Sequence, residues 1–227
     1  MENKICVLIP TRKRLEDFKL FADSWIKTTE GKSVVVVAID FDDNTYDEII
    51  ERDIYPFIYE RQESKPFIKI LNDMAVRYAE RYQCVAFMED DCTYNTPGWE
   101  TRILDKVNEI GDNAIVWCND LVNRDYVIGL PFMNSHIIRT LGWMATPRFS
   151  TLYVDHYWMA LGKKLNTSHY FPNIIIEHRH YTKGKRLKDE ISKKVESEAS
   201  MRGEAQYYKS QELSNDIDID VKKLKKL

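Results

Sequence analysis

The stretch "QCVAFMEDDCTYNTPGW", residues 83–99, runs from apolar residues straight into three adjacent carboxylates, Glu89, Asp90 and Asp91. Like charges packed together cost energy unless water or a cation compensates them. The apolar half reads as a buried strand, so the stretch predicts a strand that ends on an acidic cluster.

Working outward, "KICVLIP" is a second β-rich run, stopped by Pro10. "RLEDFKLFADSWIKTTEG" follows with Leu15, Phe18, Phe21 (or Ala22) and Trp25 at helical spacing and Gly31 at its end. "SVVVVAIDFDD" is a buried strand ending in acids, and "IYPFIYER" is a third before the opening stretch. "FIKILNDMAVRYAERY" reads as a helix with Phe67, Ile70, Leu71, Met74 and Ala75 on one face. Apolar strands alternating with helices predict an α/β fold with a mostly parallel sheet covered on both faces. Ligands of such sheets bind beyond the carboxyl ends of the strands. The polar groups fall at those ends: Thr11 and Arg12, then Asp40, Asp42 and Asp43, then Glu89–Asp91.

Beyond residue 97 the pattern is less regular. "PGWETRILDKVNEIG" predicts a helix and "NAIVWCND" a strand. "YVIGLPFMNSHIIRTLGWM" passes from strand through a turn into a helix capped near Asn134 or Ser135. "PRFSTLYVDHYWMALGKKLN" carries an acid into a helix, and "HYFPNIIIEHRHY" is a late strand. The expected organisation is one domain over residues 1–181 and a charged, helical or partly mobile tail over residues 182–227.

The 227 residues, 44% hydrophobic, suffice for one substantial core, and a net charge of −3 gives no general polyanion-binding signature. Cys6, Cys84, Cys92 and Cys118 form no CxxC pair and sit in or beside apolar runs, as packed, reduced thiols do. The opening "MENKICVLIP" is too short for a signal-peptide core, and no apolar run approaches the ~20 residues that cross a bilayer. The expectation is a soluble, cytoplasmic protein.

With eight glycines, the chain has neither GxxxxGK[ST] nor GxGxxG to cradle a phosphate. If the sheet binds a nucleotide, a cation held by carboxylates must do most of that work. Glu89-Asp90-Asp91 supplies hard oxygen ligands suited to magnesium or manganese. On a strand, Glu89 and Asp91 would face one side and serve one ion, or one ion and a ribose. The bland alternative is a solvated strand end, or Asp91 capping a turn. In "IIIEHRHY", His178 and His180 would share a strand face opposite Glu177, completing a carboxylate metal site or standing as partly exposed histidines. Asp155 in "YVDHYW" would be a helix N-cap, a general base, or both. Asp40, Asp42 and Asp43 would grip a base or ribose, or form a turn with Asn44. Lys65, Lys69 and Asn72 would reach a diphosphate, or line a solvated helix face. Tyr55, Phe57 and Tyr59 read as core, and His136 and His169 as ordinary surface or capping histidines.

In order, these pieces resemble the GT-A nucleotide-sugar glycosyltransferases, closest in layout to glycosyltransferase family 2. The resemblance spans roughly residues 4–185. "VLIPTRKR" is similar to that family's opening strand, which places Pro10, Thr11, Arg12 and Arg14 near the nucleotide. "VVVAIDFDDN" is similar to the strand whose terminal acid contacts the base, here Asp40 or Asp42. "KILNDMAVRYAERYQCVAFMEDDC" resembles the helix with a conspicuous asparagine, here Asn72, that runs into the DxD strand. Glu89-Asp90-Asp91 is then the DxD equivalent with Glu in its first position. Asp91 is a metal ligand in that reading, and Glu89 or Asp90 meets the ribose. "GLPFMNSHIIRTLGW" resembles the acceptor-side segment. "VDHYW" occupies the place of the ED pair, so Asp155 inherits the base, with Val154 replacing the usual acid. "EHRHYTKGK" resembles the late histidine strand that completes the metal site, with Lys183 and Lys185 facing phosphate.

The resemblance implies a Mn2+- or Mg2+-dependent transfer of a sugar from a nucleoside-diphosphate sugar, a UDP-sugar foremost, to an acceptor hydroxyl; the place of Asp155 points to inversion, though a retaining enzyme shares this layout. The sequence leaves the acceptor open among a glycan, a protein and a modified base in DNA; small enzymes of this layout also occur in bacteriophages, where hydroxymethylated pyrimidines in DNA are one acceptor class. The basic "VKKLKKL" would touch DNA phosphate or anionic lipid, or be a docked terminus. Competing readings are a nucleotidyltransferase, for which "PTRKRLED" lacks the glycine-rich loop, a nuclease, and a non-catalytic sugar-nucleotide or glycan-binding module.

Overall fold

The structure, a computed structural model, describes residues 2–185, 188–190, 193, 197 and 203–226. Eight strands form one sheet in the order β3-β2-β1-β4-β7-β6-β8-β5. They are β1 (Glu2–Thr11), β2 (Ser33–Asp40), β3 (Ile58–Gln62), β4 (Tyr82–Phe87), β5 (Cys92–Tyr94), β6 (Ile115–Asn119), β7 (Phe132–Asn134) and β8 (Ser168–His178). The first four in sequence pair in parallel, with Val7 opposite both Val35 and Ala86. β7 runs antiparallel between β4 and β6, β6 pairs in parallel with β8, and β5 lies antiparallel to β8.

The continuous apolar runs are explained by burial on both faces. Cys6 and Leu8 of β1, Val36 and Ala38 of β2, and Val85 and Phe87 of β4 enter one core. Their alternating neighbours Ile5, Val7 and Ile9, Val35, Val37 and Ile39, and Cys84 and Ala86 enter the other. Helices α1 (Leu15–Thr28) and α4 (Trp99–Ile110) cover the second face through Phe18, Phe21, Trp99 and Ile103. Helices α3 (Phe67–Ala79), α5 (Ser135–Leu141) and α6 (Val154–Leu165) cover the first; α2 (Asp47–Glu51) sits after β2. Each fully buried Leu, Ile or Phe contributes about 1.5–3 kcal/mol, so the two-sided sheet is the principal source of stability. All four cysteines are buried and unpaired with one another, and burial pushes their thiols up.

The acidic triplet is not on a strand: β4 ends at Phe87, and Asp90 and Asp91 form the turn into β5. The described part of the expected tail contains α7 (Glu204–Tyr208) and α8 (Gln211–Leu224). Leu213, Ile217 and Leu224 lie on one stripe of α8 and join the core beside α5 and α6. The Tyr157 hydroxyl of α6 donates to Asp220 Oδ2 of α8 at 2.8 Å. Among the described residues no helix is long and apolar enough to cross a membrane.

Helix α6 presses closely on β8. A Cβ at Gly162 would stand 2.8 Å from the Ser168 Cβ. Gly162→Ala is therefore expected to lower unfolding free energy by about 1–3 kcal/mol, the usual range for overpacking, in a urea titration followed by circular dichroism.

Candidate active site

The site assembles where β1, β2, β4 and β8 end. The short turn after β4 splits the acidic triplet in two directions. Asp90 faces β1: its Oδ2 accepts from Thr11 Oγ1 at 2.7 Å and its Oδ1 from Arg14 Nη1 at 3.2 Å. Thr11 Oγ1 also shares a hydrogen bond of 2.6 Å with the Tyr46 hydroxyl. Burial raises the Asp90 pKa to about 6 against the opposing pull of Arg14. Arg14 in turn forms a bidentate pair with Asp189, at 2.7 and 3.1 Å.

Glu89 and Asp91 face the other way, toward His178. The antiparallel register of β5 and β8 sets Cys92 opposite His178. Arg179 N donates to Asp91 O, and His178 N donates to Asp120 O, both at 3.0 Å. His178 Nε2 consequently lies 3.4 Å from Glu89 Oε2 and 3.2 Å from Asp91 Oδ1. Asp91 and His178 are buried, at 1% and 8% exposure, and Glu89 is half-buried. Burial alone would lower the imidazole pKa, but the carboxylates override it and push His178 up to about 11. Burial also opposes ionisation of Glu89, yet His178 holds that carboxyl below its ordinary range. The cluster thus draws a positive charge to its centre. One ligand atom from each residue lies within 4.8 Å of the others. Two carboxylates and an imidazole at that span would suit one divalent ion of the Mg2+ or Mn2+ type.

His180 does not join this cluster. β8 ends at His178, so strand alternation stops, and His180 instead caps the 3-10 turn Tyr181–Lys183. Its Nδ1 lies 2.8 Å from Thr182 Oγ1, although its ring still touches that of His178 at 4.9 Å between centroids.

On the β2 side, Pro10 and Thr11 finish β1 opposite Ala38 and Ile39. Arg12 pairs with Asp40 and forms a bidentate pair with Asp42, both contacts at 2.7 Å. Asp43 Oδ2 accepts from Lys13 N at 2.7 Å and its Oδ1 from Thr45 N at 3.1 Å. The Asp40–Asp43 acids therefore tie the β2 turn to the loop after β1.

The residues expected to reach a diphosphate, Lys65, Lys69 and Asn72, have partners of their own on and around α3. Lys65 and Lys69 both turn to Asp73, at 3.6 and 3.2 Å. Asn72 is spent on backbone: its amide donates to Ala145 O at 2.7 Å and accepts from Met144 N and Ala145 N at 3.0 Å. Three backbone bonds thus tie Asn72 to the loop before α6. Lys185 pairs with Glu177 at 3.4 Å, and Lys183 lines a groove of about 500 Å³ with residues 121–126.

Asp155 lies in the first turn of α6, but the N-cap is Tyr153, in a left-handed conformation (φ 65°). Asp155 is therefore not the cap. Its Oδ1 accepts from His156 N at 2.9 Å and meets His156 Nδ1 at 2.8 Å.

Three further acids escaped sequence reasoning. Asp120, beyond β6, fixes the groove loop by accepting from Val122 N, Asn123 N and Arg124 N at 2.7–2.9 Å. Its place after a buried strand was the available signal. Asp189 and Glu204 carried none, because their partners stand far away in sequence.

Solved structures share this fold. S. aureus TarS superposes with a TM-score of 0.60 at 12% identity, over 76% of this chain and 36% of that one. GalNAc-T7 with UDP, GalNAc and Mn2+ gives 0.63 at 11% identity, over 77% and 43%. The mannosyltransferase PcManGT from Pyrobaculum calidifontis, in complex with GDP-Man and Mn2+, gives 0.57 at 14% identity, over 77% and 56%. The fold is that of the GT-A glycosyltransferases. This chain spans well under two thirds of the length of each. No protein-family profile and no curated protein sequence matches it. Within the GT-A frame, the carboxylate–histidine cluster occupies the carboxyl end of the central strand β4, where ligands of open α/β sheets gather.

Titration with MnCl2 is expected to raise the melting temperature, since an ion at a hundred times its Kd stabilises by about 2.7 kcal/mol. Asp91→Asn and His178→Ala should abolish that shift, and His180→Ala should keep it. Differential scanning fluorimetry reads all three.

Proposed function

We propose that the protein is a metal-dependent glycosyltransferase that uses a nucleoside-diphosphate sugar, a UDP-sugar foremost. The observation that carries this reading is the convergence of Glu89, Asp91 and His178 at the end of β4 in a GT-A fold. A divalent ion held by these three residues would neutralise the departing diphosphate, a task for which the chain has no glycine-rich loop. TarS and GalNAc-T7 are solved with UDP, and PcManGT with GDP-Man, which supports a nucleotide-sugar donor.

In this reading the nucleobase and ribose lie against the loops after β1 and β2, with Arg12, Asp40 and Asp42 at their edge. Asp90 holds Thr11 and Arg14 in place rather than binding the ion. Asp155 accepts the proton from the acceptor hydroxyl as its oxygen bonds to the anomeric carbon. The bond from that carbon to the diphosphate oxygen breaks with its electron pair, and a single displacement inverts the configuration. The acceptor is a hydroxyl of a glycan or of a hydroxymethylated pyrimidine in DNA.

Asp155→Asn should lower kcat by about 10²–10⁴, the usual weight of general-base catalysis, and leave the donor KM nearly unchanged. Release of nucleoside diphosphate, followed by chromatography over a panel of nucleotide sugars with Mn2+, measures this. Full activity of the variant would remove Asp155 from the role, and absence of turnover with every donor and acceptor offered would count against the enzyme reading.

A further inference from the structure

Glu204 is the first residue of α7, 2% exposed, and lies far in sequence from every residue it binds. A buried carboxylate needs its oxygens filled, and here they are filled by the loop just before α6. Its Oε1 accepts from Ser150 N at 3.1 Å and from the Ser150 hydroxyl. Its Oε2 accepts from Leu152 N at 3.0 Å and Thr151 N at 3.4 Å. Three successive amides aimed at one anion form a nest, here closed by a side chain of the same protein.

The residue after the nest is Tyr153, the left-handed N-cap of α6. A tyrosine holds that conformation only when its surroundings fix it. Tyr208, one turn after Glu204, stacks on the Tyr153 ring at 4.9 Å and an interplanar angle of 15°. The same Tyr208 ring packs edge-on against His156 at 4.6 Å, and His156 Nδ1 meets Asp155 Oδ1. Two routes therefore run from α7 to one carboxylate. One passes through the backbone of residues 150–153, the other through the His156 ring.

We infer that Glu204 is a positioning residue for Asp155, so that α7 builds the proton-accepting side of the active site. The inference rests on the assignment of Asp155 as the base. The loop is independently pinned to α3, because Ile68 N donates to Ser150 O at 3.1 Å. Loss of Glu204 should therefore loosen the start of α6 without unfolding the sheet.

The test compares Glu204→Ala, Glu204→Gln, Asp155→Asn and the Glu204→Ala/Asp155→Asn double variant of the full chain. The substrate is the nucleotide sugar that the unaltered chain turns over fastest with Mn2+. Glu204→Ala should lower kcat at least tenfold with the donor KM within twofold and the Mn2+ melting shift intact. Glu204→Gln, which keeps the volume and one acceptor oxygen, should recover part of that loss and serves alone if the alanine variant does not fold. In the Asp155→Asn background, Glu204→Ala should cost less than twofold more, because residues acting as a unit are non-additive. Equal losses in both backgrounds, unchanged kcat in both Glu204 variants, or a parallel loss of donor affinity would overturn the positioning role while leaving the glycosyltransferase reading in place. An Asp155→Asn variant with full turnover would remove the base assignment and the inference with it. Absence of turnover by the unaltered chain would count against the reading on which both depend.

Discussion

The candidate site depends on a short antiparallel pairing at the sheet's edge. β5 is only three residues long, yet its register against β8 sets Cys92 opposite His178 and lays Asp91 beside the imidazole. A slip of one residue would turn His178 to the opposite face, since side chains alternate along a strand. The pairing is held at both ends by backbone bonds, from Arg179 N to Asp91 O and from Asn95 N to Ile175 O, both at 3.0 Å. It is also backed by buried Tyr94, packed on Trp99 at 4.6 Å between ring centroids. The register thus places the histidine of the candidate cluster, while the turn after β4 places its two carboxylates.

The electrostatics follow from that geometry. Three consecutive acids would repel if they faced one space, and the turn after β4 prevents this by dividing them. Asp90 is balanced by Arg14 and Thr11, while Glu89 and Asp91 are balanced by His178. Around the rim the same logic recurs: Arg12 answers Asp40 and Asp42, Arg14 also answers Asp189, and Arg179 answers Asp17 at 3.0 Å. Each of these rim arginines thus faces a carboxylate near the strand ends.

How much of this was legible in the sequence varies with the range of the interaction. Strands β1, β2 and β4 declared themselves because two-sided burial demands unbroken apolar runs, and the parallel sheet followed. The candidate cluster was legible as far as Glu89, Asp91 and a late histidine, because hard ligands at strand ends are a local signal. The partition of the triplet was not, since a turn of two residues decides it and Asp90 reads like its neighbours. His180 shared the HxH pattern with His178, but the strand stops between them. Asn72 looked like a ligand because polar residues on a helix beside a site are ambiguous; its actual partners lie at residues 144 and 145. The charged C-terminal stretch concealed a core stripe, because three apolar positions spread over α8 are few among many acids and lysines.

The position of α8 has a consequence for how the protein is made. One face of the central sheet is covered by α3, α5 and α6, and the stripe of Leu213, Ile217 and Leu224 completes that cover. A ribosome adds about 5–20 residues each second, so β1 to β4 exist for several seconds before α8 emerges. During that interval the groove beside α5 and α6 is open to water and to other nascent chains. Tyr157 then waits without Asp220, and the apolar side chains beside it wait without their lid. Completion of this core therefore waits on residues made more than a hundred positions after the strand that carries the acidic turn.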